Sequence, residues 1–522
     1  MANWLRKNAL VGILLLVALL ILLIPVLTWQ SWHSCTDATD PRLVFSAVMT
    51  NAVGQRTAQG AVLGGGQYRA AGYKVIVYAK DDIWYSGLYG QAQKPAETTL
   101  QSDCSWQITG LHPGKLYVAY LVHPDFAYPS TVAAIDEKTL PLLIANNDQI
   151  VTVDWWQDRE TAVATTEVEQ ATLWLQQQRV PNQAIPNPLA IHTGLLLSYA
   201  DIPQNNDAFP ILFARAYTPD NALGSMALLM GNNPLAARQV LATLQSKVEA
   251  DGQINFYFDT DKELFQPIYR TDAIAWIGYA FVYYQLKTQD NEFQSTAEKL
   301  GQQLLSLQEL DEDSLAYGAL RRNQDATAVN HYATDNIMAY FFLRDLAEVT
   351  HQSAFATAAS LVKNSLLDQY WNQERGYFQT NLEGTGDDFV EAQTLGAIFL
   401  TAVNETDKAS TITQYIETTY QPGGNAKDYA GFAPFPKLET TWAQGSLQMS
   451  LAYQRLSDIE KGAKLYQQQS LWLQEAGGIP YAYPEALDTP SGPYHNWPSM
   501  AGTAWFIFAI ENDPLFLRQT PN

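Results

Sequence analysis

Two kinds of helical pattern alternate along the chain from about residue 160 onwards. In one kind, as in residues 273–282, nearly every position is apolar, and such a helix is stable only when protein covers it on all sides. In the other kind, as in residues 292–308, Phe293, Leu300 and Leu307 recur on one face while charged residues fall elsewhere. The alternation predicts an inner layer of buried helices and an outer layer with one side in water.

This alternation occurs six times. The inner helices are predicted to begin near Asp220, Asp272, Asp335, Glu391, Glu439 and Trp497. The outer helices are predicted over residues 163–178, 234–247, 292–308, 353–370, 407–420 and 458–473. Repeated helical hairpins either stack into an open solenoid or close on themselves. We favour closure, which gives a mainly α fold with an (α/α)6 toroid of six hairpins over residues 160–522.

Residues 36–157 show a different pattern, in which short apolar runs alternate with turn signals. The runs with strand character are residues 43–49, 73–78, 117–122 and 150–155. Turn signals such as Gly64-Gly65-Gly66 and Pro113-Gly114 separate them, at a spacing typical of antiparallel sandwiches and barrels. We therefore predict a small antiparallel β-sandwich domain before the toroid.

Residues 9–27 are almost wholly apolar, and roughly 20 such residues cross a bilayer. Arg6 and Lys7 precede this stretch, and no small-x-small cleavage signal follows it. The pattern predicts a single-pass signal anchor in residues 1–30, with the N-terminus cytoplasmic and the bulk of the chain periplasmic or extracellular. A cleaved export signal is the alternative, and it leads to the same compartment.

The two cysteines, Cys35 and Cys104, both lie in the exported part, where disulfides persist, and we predict that they pair. No CxxC or HExxH spacing is present, so neither a metal site nor a cofactor is predicted. The 31 Lys and Arg residues against 53 Asp and Glu residues give a formal charge of -22. This charge repels polyanions and disfavours nucleic acid as a partner.

Several strings in the helical region together resemble the six-hairpin glycosidase-like family of bacterial proteins, over about residues 160–515. They are TPDNAL, RTDAIAW, ATDNIMAYFFLRDLA, WNQERGYF, VEAQTLGAIFL, WAQGSLQMSLAY and NWPSMAGTAWFIFA. In the β region, the stretch from Tyr73 to Lys80, with Trp84-Tyr85 and Cys104-Ser105-Trp106, resembles β modules of bacterial carbohydrate-active proteins. These resemblances imply a poly- or oligosaccharide as the partner of this protein.

Five of the six predicted inner helices carry a carboxylate at their start: Asp220, Asp272, Asp335, Glu391 and Glu439. Helix capping and the helix dipole alone explain an acid at such a position, by around 1 kcal/mol each. In a closed toroid, however, the starts of the inner helices converge on one mouth. The set therefore predicts a funnel of acidic side chains.

Glycoside hydrolysis uses one protonated carboxyl group and one carboxylate. The resemblance implies that the general acid is Asp335, at the start of the third inner helix, and that its partner is Glu439 or Glu485. Two departures from the family pattern bear on this assignment. Gln444 stands where relatives often carry the acid of an EGT-like string, and Thr334-Asp335-Asn336 stands where they often carry EHN.

Further residues near the predicted funnel are expected to bind the saccharide, because aromatic faces suit pyranose rings. They are Asp220, Tyr269, Arg270, Asp272, Trp276, Tyr332, Asn336, Glu391, Trp442, Gln444, Tyr481, Tyr483, Tyr494 and Trp497. Arg270 could orient a substrate hydroxyl or pair with the neighbouring Asp272.

Three functions remain in competition. The first is a glycoside hydrolase that inverts through two carboxyl groups. The second is a non-catalytic toroid that binds a polysaccharide, as part of synthesis or export machinery at the membrane. The third is a polysaccharide lyase, for which His331 and Tyr332 offer a charge neutraliser and a base.

Overall fold

A computed structural model describes most of the chain after residue 35. The described residues are 35, 37–50, 56–80, 84–85, 96–111, 116–126, 149–157, 166–182, 184–185, 189–263, 266–323, 330–384, 388–426, 429–490, 492–512 and 516. The chain divides into two compact units near residue 163. The anchor predicted at residues 9–27 lies outside the described residues, and within the described ranges no helix is long and apolar enough to cross a bilayer.

Within its described residues, the first unit contains two antiparallel sheets. One has the strand order β1-β2-β6, and the other has the order β4-β3-β7-β8, with β5 also paired to β3. The strands are β1 (Asp37–Thr50), β2 (Arg56–Gly65), β3 (Lys74–Lys80), β4 (Trp84–Tyr85), β5 (Ala96–Thr99), β6 (Ser105–Leu111), β7 (Leu116–Val122) and β8 (Ile150–Gln157). A short helix, Gly66–Ala70, links β2 to β3.

The two sheets share one apolar core. In β6, Trp106 and Ile108 are buried while the intervening Gln107 is exposed, which is the alternation expected of a strand with one face on a core. Val75 and Tyr117 of the other sheet belong to the same buried cluster. The predicted disulfide between Cys35 and Cys104 is present, with the two Cα atoms 5.2 Å apart. It fastens the chain before β1 to the turn before β6.

The second unit contains twelve long helices within its described residues. The odd-numbered helices are α1 (Glu167–Gln177), α3 (Pro234–Gln245), α5 (Gln294–Leu307), α7 (Ser353–Ser365), α9 (Thr406–Thr419) and α11 (Ile459–Ala476). The even-numbered helices are α2 (Thr218–Met230), α4 (Thr271–Thr288), α6 (Ala333–Thr350), α8 (Glu391–Ala402), α10 (Ala443–Arg455) and α12 (Met500–Glu511). A π-helical turn, Leu366–Tyr370, continues α7.

The even-numbered helices form a closed inner ring. Each packs against two others, in the order α2-α4-α6-α8-α10-α12 and back to α2, and the odd-numbered helices pack outside. The burial of side chains agrees with this arrangement: α4 is buried almost all round, whereas α5 buries one face. The predicted (α/α)6 toroid is therefore confirmed.

Local sequence signals fix the ends of several helices. Thr166 and Glu169 form a reciprocal capping box at the start of α1. Asn233 and Asp458 cap α3 and α11 through their side chains. Inside the ring, Gly278 of α4 lies so close to the ring of Phe342 that a Cβ atom would be 2.3 Å from it, so only glycine fits there.

Buried amide side chains near the starts of three inner helices hold the loop segments beside them. The side chain of Asn221 bonds both the N–H and the C=O of Leu196, and Asn336 does the same at Leu320. Gln393 pairs in this way with Phe378. Because these amides satisfy buried backbone groups, they fix the loops against the mouth of the ring.

Short strand pairs order the loops at this mouth. They are β9 (Arg215–Tyr217) with β10 (Tyr257–Asp259), β11 (Trp371–Asn372) with β12 (Tyr377–Phe378), and β13 (Thr441–Trp442) with β14 (Ala482–Tyr483). The pairing of β13 moves the start of the fifth inner helix. The sequence places this start near Glu439, but α10 begins at Ala443, because residues 441 and 442 are extended in the β13–β14 pair.

Candidate active site

A cavity of about 660 Å³ lies where the inner helices begin. Every inner helix contributes to its wall at or next to its N-terminal end. One such residue from each helix or its first flanking position is Asp220, Asp272, Thr334, Glu391, Gln444 and Ser499. The cavity thus lies on the axis of the ring, and its volume is within the range of about 300–1,000 Å³ usual for small-molecule sites.

Aromatic side chains form much of the wall. The ten aromatic lining residues are Tyr199, Tyr217, Phe256, Trp276, Tyr332, Phe389, Phe435, Trp442, Tyr481 and Tyr494. Tyr481 and Tyr494 stack with ring centroids 5.2 Å apart, and Tyr199 meets Tyr481 edge to face. Flat faces interspersed with hydroxyl groups give the cavity both apolar platforms and hydrogen-bonding groups.

Two arginines and two aspartates form a charged network on one side of the cavity. Arg270 donates to both carboxylate oxygens of Asp272, with a distance of 2.9 Å from Nε to Oδ1. Arg322 lies 3.9 Å from Asp272 and 3.9 Å from Asp335. Its guanidinium group stacks over the ring of Tyr332 at 4.1 Å from the centroid. These contacts hold Asp272 as an ion-paired carboxylate.

Asp335, the predicted general acid, lies behind this network rather than in the cavity wall. Its exposed fraction is 1%, and its Oδ2 atom has no hydrogen-bond partner among the described residues. Burial raises the pKa of Asp335 to about 6, although the nearby Arg322 acts to lower it. Its position suits a group that positions Arg322 rather than one that touches a ligand.

Glu391 faces the cavity from the start of α8. Its Oε1 atom accepts a hydrogen bond of 2.6 Å from Nε2 of Gln444, which fixes the direction of the carboxyl group. Burial, and after it the negative charge of Asp272, raise the pKa of Glu391 to about 7, although a side-chain hydrogen bond from Gln448 acts to lower it. A substantial fraction of Glu391 is therefore protonated at neutral pH.

Asp220 faces the cavity from the first turn of α2. Burial raises the pKa of Asp220 to about 7, although a hydrogen bond from Ser198 acts to lower it. In the ring, two inner helices separate α2 from α8 in either direction, so Asp220 and Glu391 lie on opposite walls. Burial and two neighbouring tyrosines are the largest causes of the raised pKa of Tyr481. The negative charges of Glu391 and Asp220 are smaller causes, so Tyr481 lies near both acids.

The raised pKa values of these two acids predict a pH dependence of stability. A carboxyl group whose pKa is about 4 in the unfolded chain and about 7 in the fold binds its proton more tightly when folded. Its contribution to stability is complete below pH 4 and is lost as the pH rises through 7. We therefore expect the double variant Asp220→Asn, Glu391→Gln to lose less of its Tm than the parent protein between pH 5 and pH 8. Equal losses in the two proteins would contradict this assignment.

The structure places most of the predicted saccharide-binding residues in this one cavity. They are Asp220, Arg270, Asp272, Trp276, Tyr332, Glu391, Trp442, Gln444, Tyr481 and Tyr494. The two predicted catalytic partners are not brought to it. Glu439 is exposed and lies against Gly424, and Glu485 bonds Nδ1 of His495. Catalytic roles for these two acids stay predictions.

Four other predicted binding residues lie outside the cavity wall, each with contacts of its own. The hydroxyl of Tyr269 donates to Glu249, and Asn336 is fully buried in its bonds to Leu320. The remaining two are Tyr483, which packs against Trp472, and Trp497, which stacks on His495 with ring centroids 3.8 Å apart. His331, from the lyase hypothesis, is 4% exposed and bonds Glu383, while Tyr332 lines the cavity.

Several wall residues could not be found from the sequence pattern. They include Tyr199, Tyr217, Phe256, Arg322, Phe389 and Phe435, which lie in loops or in two- or three-residue strands. Their only signal is the abundance of Tyr, Trp and Asn in the loops. Within the described part of the chain, no three or more His, Cys, Asp or Glu side chains are grouped so as to hold a metal ion.

No protein-family model and no curated protein sequence matches this chain. Solved structures do resemble it at low identity. A cellobiose 2-epimerase from Bacillus thermoamylovorans has 12% identity and a TM-score of 0.47, and the match covers 66% of this chain and 98% of that one. A GH63 mannosylglycerate hydrolase from Thermus thermophilus has 10% identity and a TM-score of 0.47, over 66% and 99% of the two chains.

A family 76 glycoside hydrolase from a bovine Bacteroides thetaiotaomicron strain has 10% identity and a TM-score of 0.45, over 90% of this chain and 98% of that one. The similar structures thus include glycoside hydrolases and a sugar epimerase. At these identities and TM-scores, the comparisons decide neither family nor activity. The toroidal fold is assigned from the closed packing of the six inner helices of this chain. The resemblance of the β unit to modules of carbohydrate-active proteins stays a prediction.

Proposed function

We propose that this protein is a glycoside hydrolase whose central cavity binds a poly- or oligosaccharide and cleaves one glycosidic bond between Glu391 and Asp220. The observation that carries the proposal is the placement of these two carboxyl groups on opposite walls of one aromatic-lined cavity. Glycoside hydrolysis requires one carboxyl group that protonates the leaving oxygen and a second that activates water or attacks the sugar.

Glu391 is assigned as the proton donor. Because its Oε1 atom accepts a hydrogen bond from the amide of Gln444, the proposal places the transferred proton on the other oxygen, Oε2. Burial and the nearby charge of Asp272 favour the protonated form by raising the pKa of Glu391 to about 7. A general acid is most effective when its pKa lies near the working pH.

Asp220 is assigned as the base that activates water. It lies on the opposite wall, and the Ser198 hydroxyl that bonds it favours its carboxylate form. In inverting enzymes the two carboxyl groups are about 6.5–9.5 Å apart, because a water molecule must fit between the base and the sugar, whereas in retaining enzymes they are about 5 Å apart. Two carboxyl groups on opposite walls of a ring favour the larger separation, so the proposal includes inversion at the anomeric carbon.

The experiment that tests the proposal is product release by the full chain, purified in mild detergent, from a panel of polysaccharides. NMR of the first product to appear shows whether its anomeric configuration is inverted. The variant Glu312→Gln is the matched control, since this acid is exposed, does not line the cavity and has no predicted catalytic role. Failure of every polymer to yield product would overturn the proposal.

A second function, saccharide binding without cleavage, is favoured by Gln444. An amide stands where the resemblance implies an acid, and it is bonded to Glu391. An amide can neither donate nor accept the proton that hydrolysis moves. Saturable binding measured by calorimetry on the same panel, with no product formed, would select this function over hydrolysis.

We also infer that this protein is tethered to a membrane and that its cavity lies outside the cytoplasm. The apolar residues 9–27, preceded by Arg6 and Lys7, support the tether, and the Cys35–Cys104 disulfide supports an oxidising compartment. Fractionation of expressing cells tests this inference. Recovery of the full chain in the soluble cytoplasmic fraction would contradict it.

A further inference from the structure

The inner end of the cavity is closed by aromatic side chains on the axis of the ring. Trp276, which lines the cavity, packs edge to face against Trp505 and Phe516, with centroid distances of 6.2 and 6.1 Å. Phe516 is 2% exposed and also contacts Tyr279 and Phe341. Residues from α4, α6 and α12 thus meet at Phe516, and the axis below Trp276 is filled.

The cavity reaches only a short way past the two acids. The lining residues Leu223 and Leu395 lie one helical turn deeper than Asp220 and Glu391. Trp276 lies one turn deeper than Asp272 on a third helix. One turn is about 5.4 Å. This depth fits one pyranose ring between the acids and the floor.

The side walls come from every part of the ring. All six inner helices contribute lining residues, and the loops that precede these helices add aromatic side chains above them. A polymer that crosses a site in mid-chain needs an opening on two opposite sides. Within the described residues, walls surround the acids on all sides and a floor closes the inner end, so the way in is the loop side.

We propose that the cavity receives a free end of a saccharide chain and that the enzyme releases one monosaccharide at a time from that end. This inference rests on the proposed hydrolase function and specifies its substrate as chain termini. The terminal ring occupies the space between the acids and Trp276, and the rest of the chain leaves through the mouth. In each cycle one water molecule is consumed: its oxygen bonds to the anomeric carbon while the bond from that carbon to the glycosidic oxygen breaks, and one of its two protons goes to Asp220. Glu391 protonates the leaving oxygen.

The experiment uses the full chain with linear hexasaccharides of glucose, mannose and xylose in their common linkages. Each is offered in three forms: unmodified, blocked at the non-reducing end by a 4,6-acetal or, for xylose, a 4-O-methyl group, and reduced at the other end to an alditol. Early products should be a monosaccharide and a pentasaccharide. One of the two modified forms should react slower by about 100-fold or more, because its terminal ring no longer fits.

Each outcome separates this inference from the function on which it rests. Di-, tri- and tetrasaccharides among the first products, with equal rates for both modified forms, would overturn end-on action and leave hydrolysis standing. If no hexasaccharide is cleaved, the hydrolase proposal fails. Binding of the same three forms then tests whether the cavity receives a chain end. Binding that one end modification abolishes still supports a site for chain ends. Binding that neither modification changes, or no binding at all, overturns it.

Discussion

The variant Glu391→Gln is expected to lower kcat/KM on a natural saccharide by about 10²- to 10⁴-fold, the usual contribution of a positioned general acid. Gln preserves the shape of the side chain and can still meet Gln444, so the fold should persist. What it lacks is the acidic proton that the leaving oxygen needs. Rates are measured on the saccharide that the polysaccharide panel identifies.

An activated substrate separates the two acids. A 2,4-dinitrophenyl glycoside of the same sugar needs no proton on departure, so Glu391→Gln should recover most of its activity on it. Asp220→Asn removes the base and should remain slow on both substrates. Glu312→Gln, the exposed control, should behave as the parent protein. Equal losses for Glu391→Gln on both substrates would remove Glu391 from the role of proton donor.

The variant Phe516→Ala is expected to lower the free energy of unfolding by about 3–5 kcal/mol, the usual cost of truncating a buried Phe. Phe516 is 2% exposed and stacks on Tyr279 and Trp505 at centroid distances of 5.1 and 5.5 Å. Removing its ring leaves a void on the axis of the toroid, directly beneath Trp276. Denaturant unfolding followed by tryptophan fluorescence measures the loss.

Two further variants calibrate this result. Phe516→Leu fills part of the void and should cost clearly less than the alanine variant. Leu315→Ala removes a side chain that is 89% exposed and should change stability by less than about 0.5 kcal/mol. A loss below about 1 kcal/mol for Phe516→Ala would show that the void collapses or that Phe516 does not support the side chains at the inner end of the cavity.

Sequence periodicity was sufficient to find the helices of the ring. The outer helix predicted over residues 353–370 is α7 with its π-helical turn, and the inner helix predicted near Glu391 begins at that residue. Amphipathic and all-apolar patterns are properties of local sequence, so they can be read from it. The sequence pattern predicts the start of α10 four residues early, at Glu439 instead of Ala443, because the pairing of β13 with β14 joins segments about 40 residues apart.

The site was predictable in part, for a related reason. Asp220, Asp272 and Glu391 stand at helix starts, and closure of the ring alone brings these to one cavity. The position of Glu485 depends on how a long loop folds, and its hydrogen bond to His495 has no sequence signature. Wall residues such as Arg322 come from loops without periodicity. Their place follows from tertiary contacts that local patterns do not encode.

Because α12 packs against both α1 and α2, the sixth inner helix is required to cover the first helical hairpin. An open solenoid can gain or lose a terminal hairpin, since each repeat contacts only its neighbours. In a ring, loss of the twelve-residue helix α12 uncovers apolar faces on both α2 and α10. The nascent chain therefore exposes aggregation-prone apolar surface until α12 has been synthesised, because the ring closes only when the sixth inner helix packs against the first.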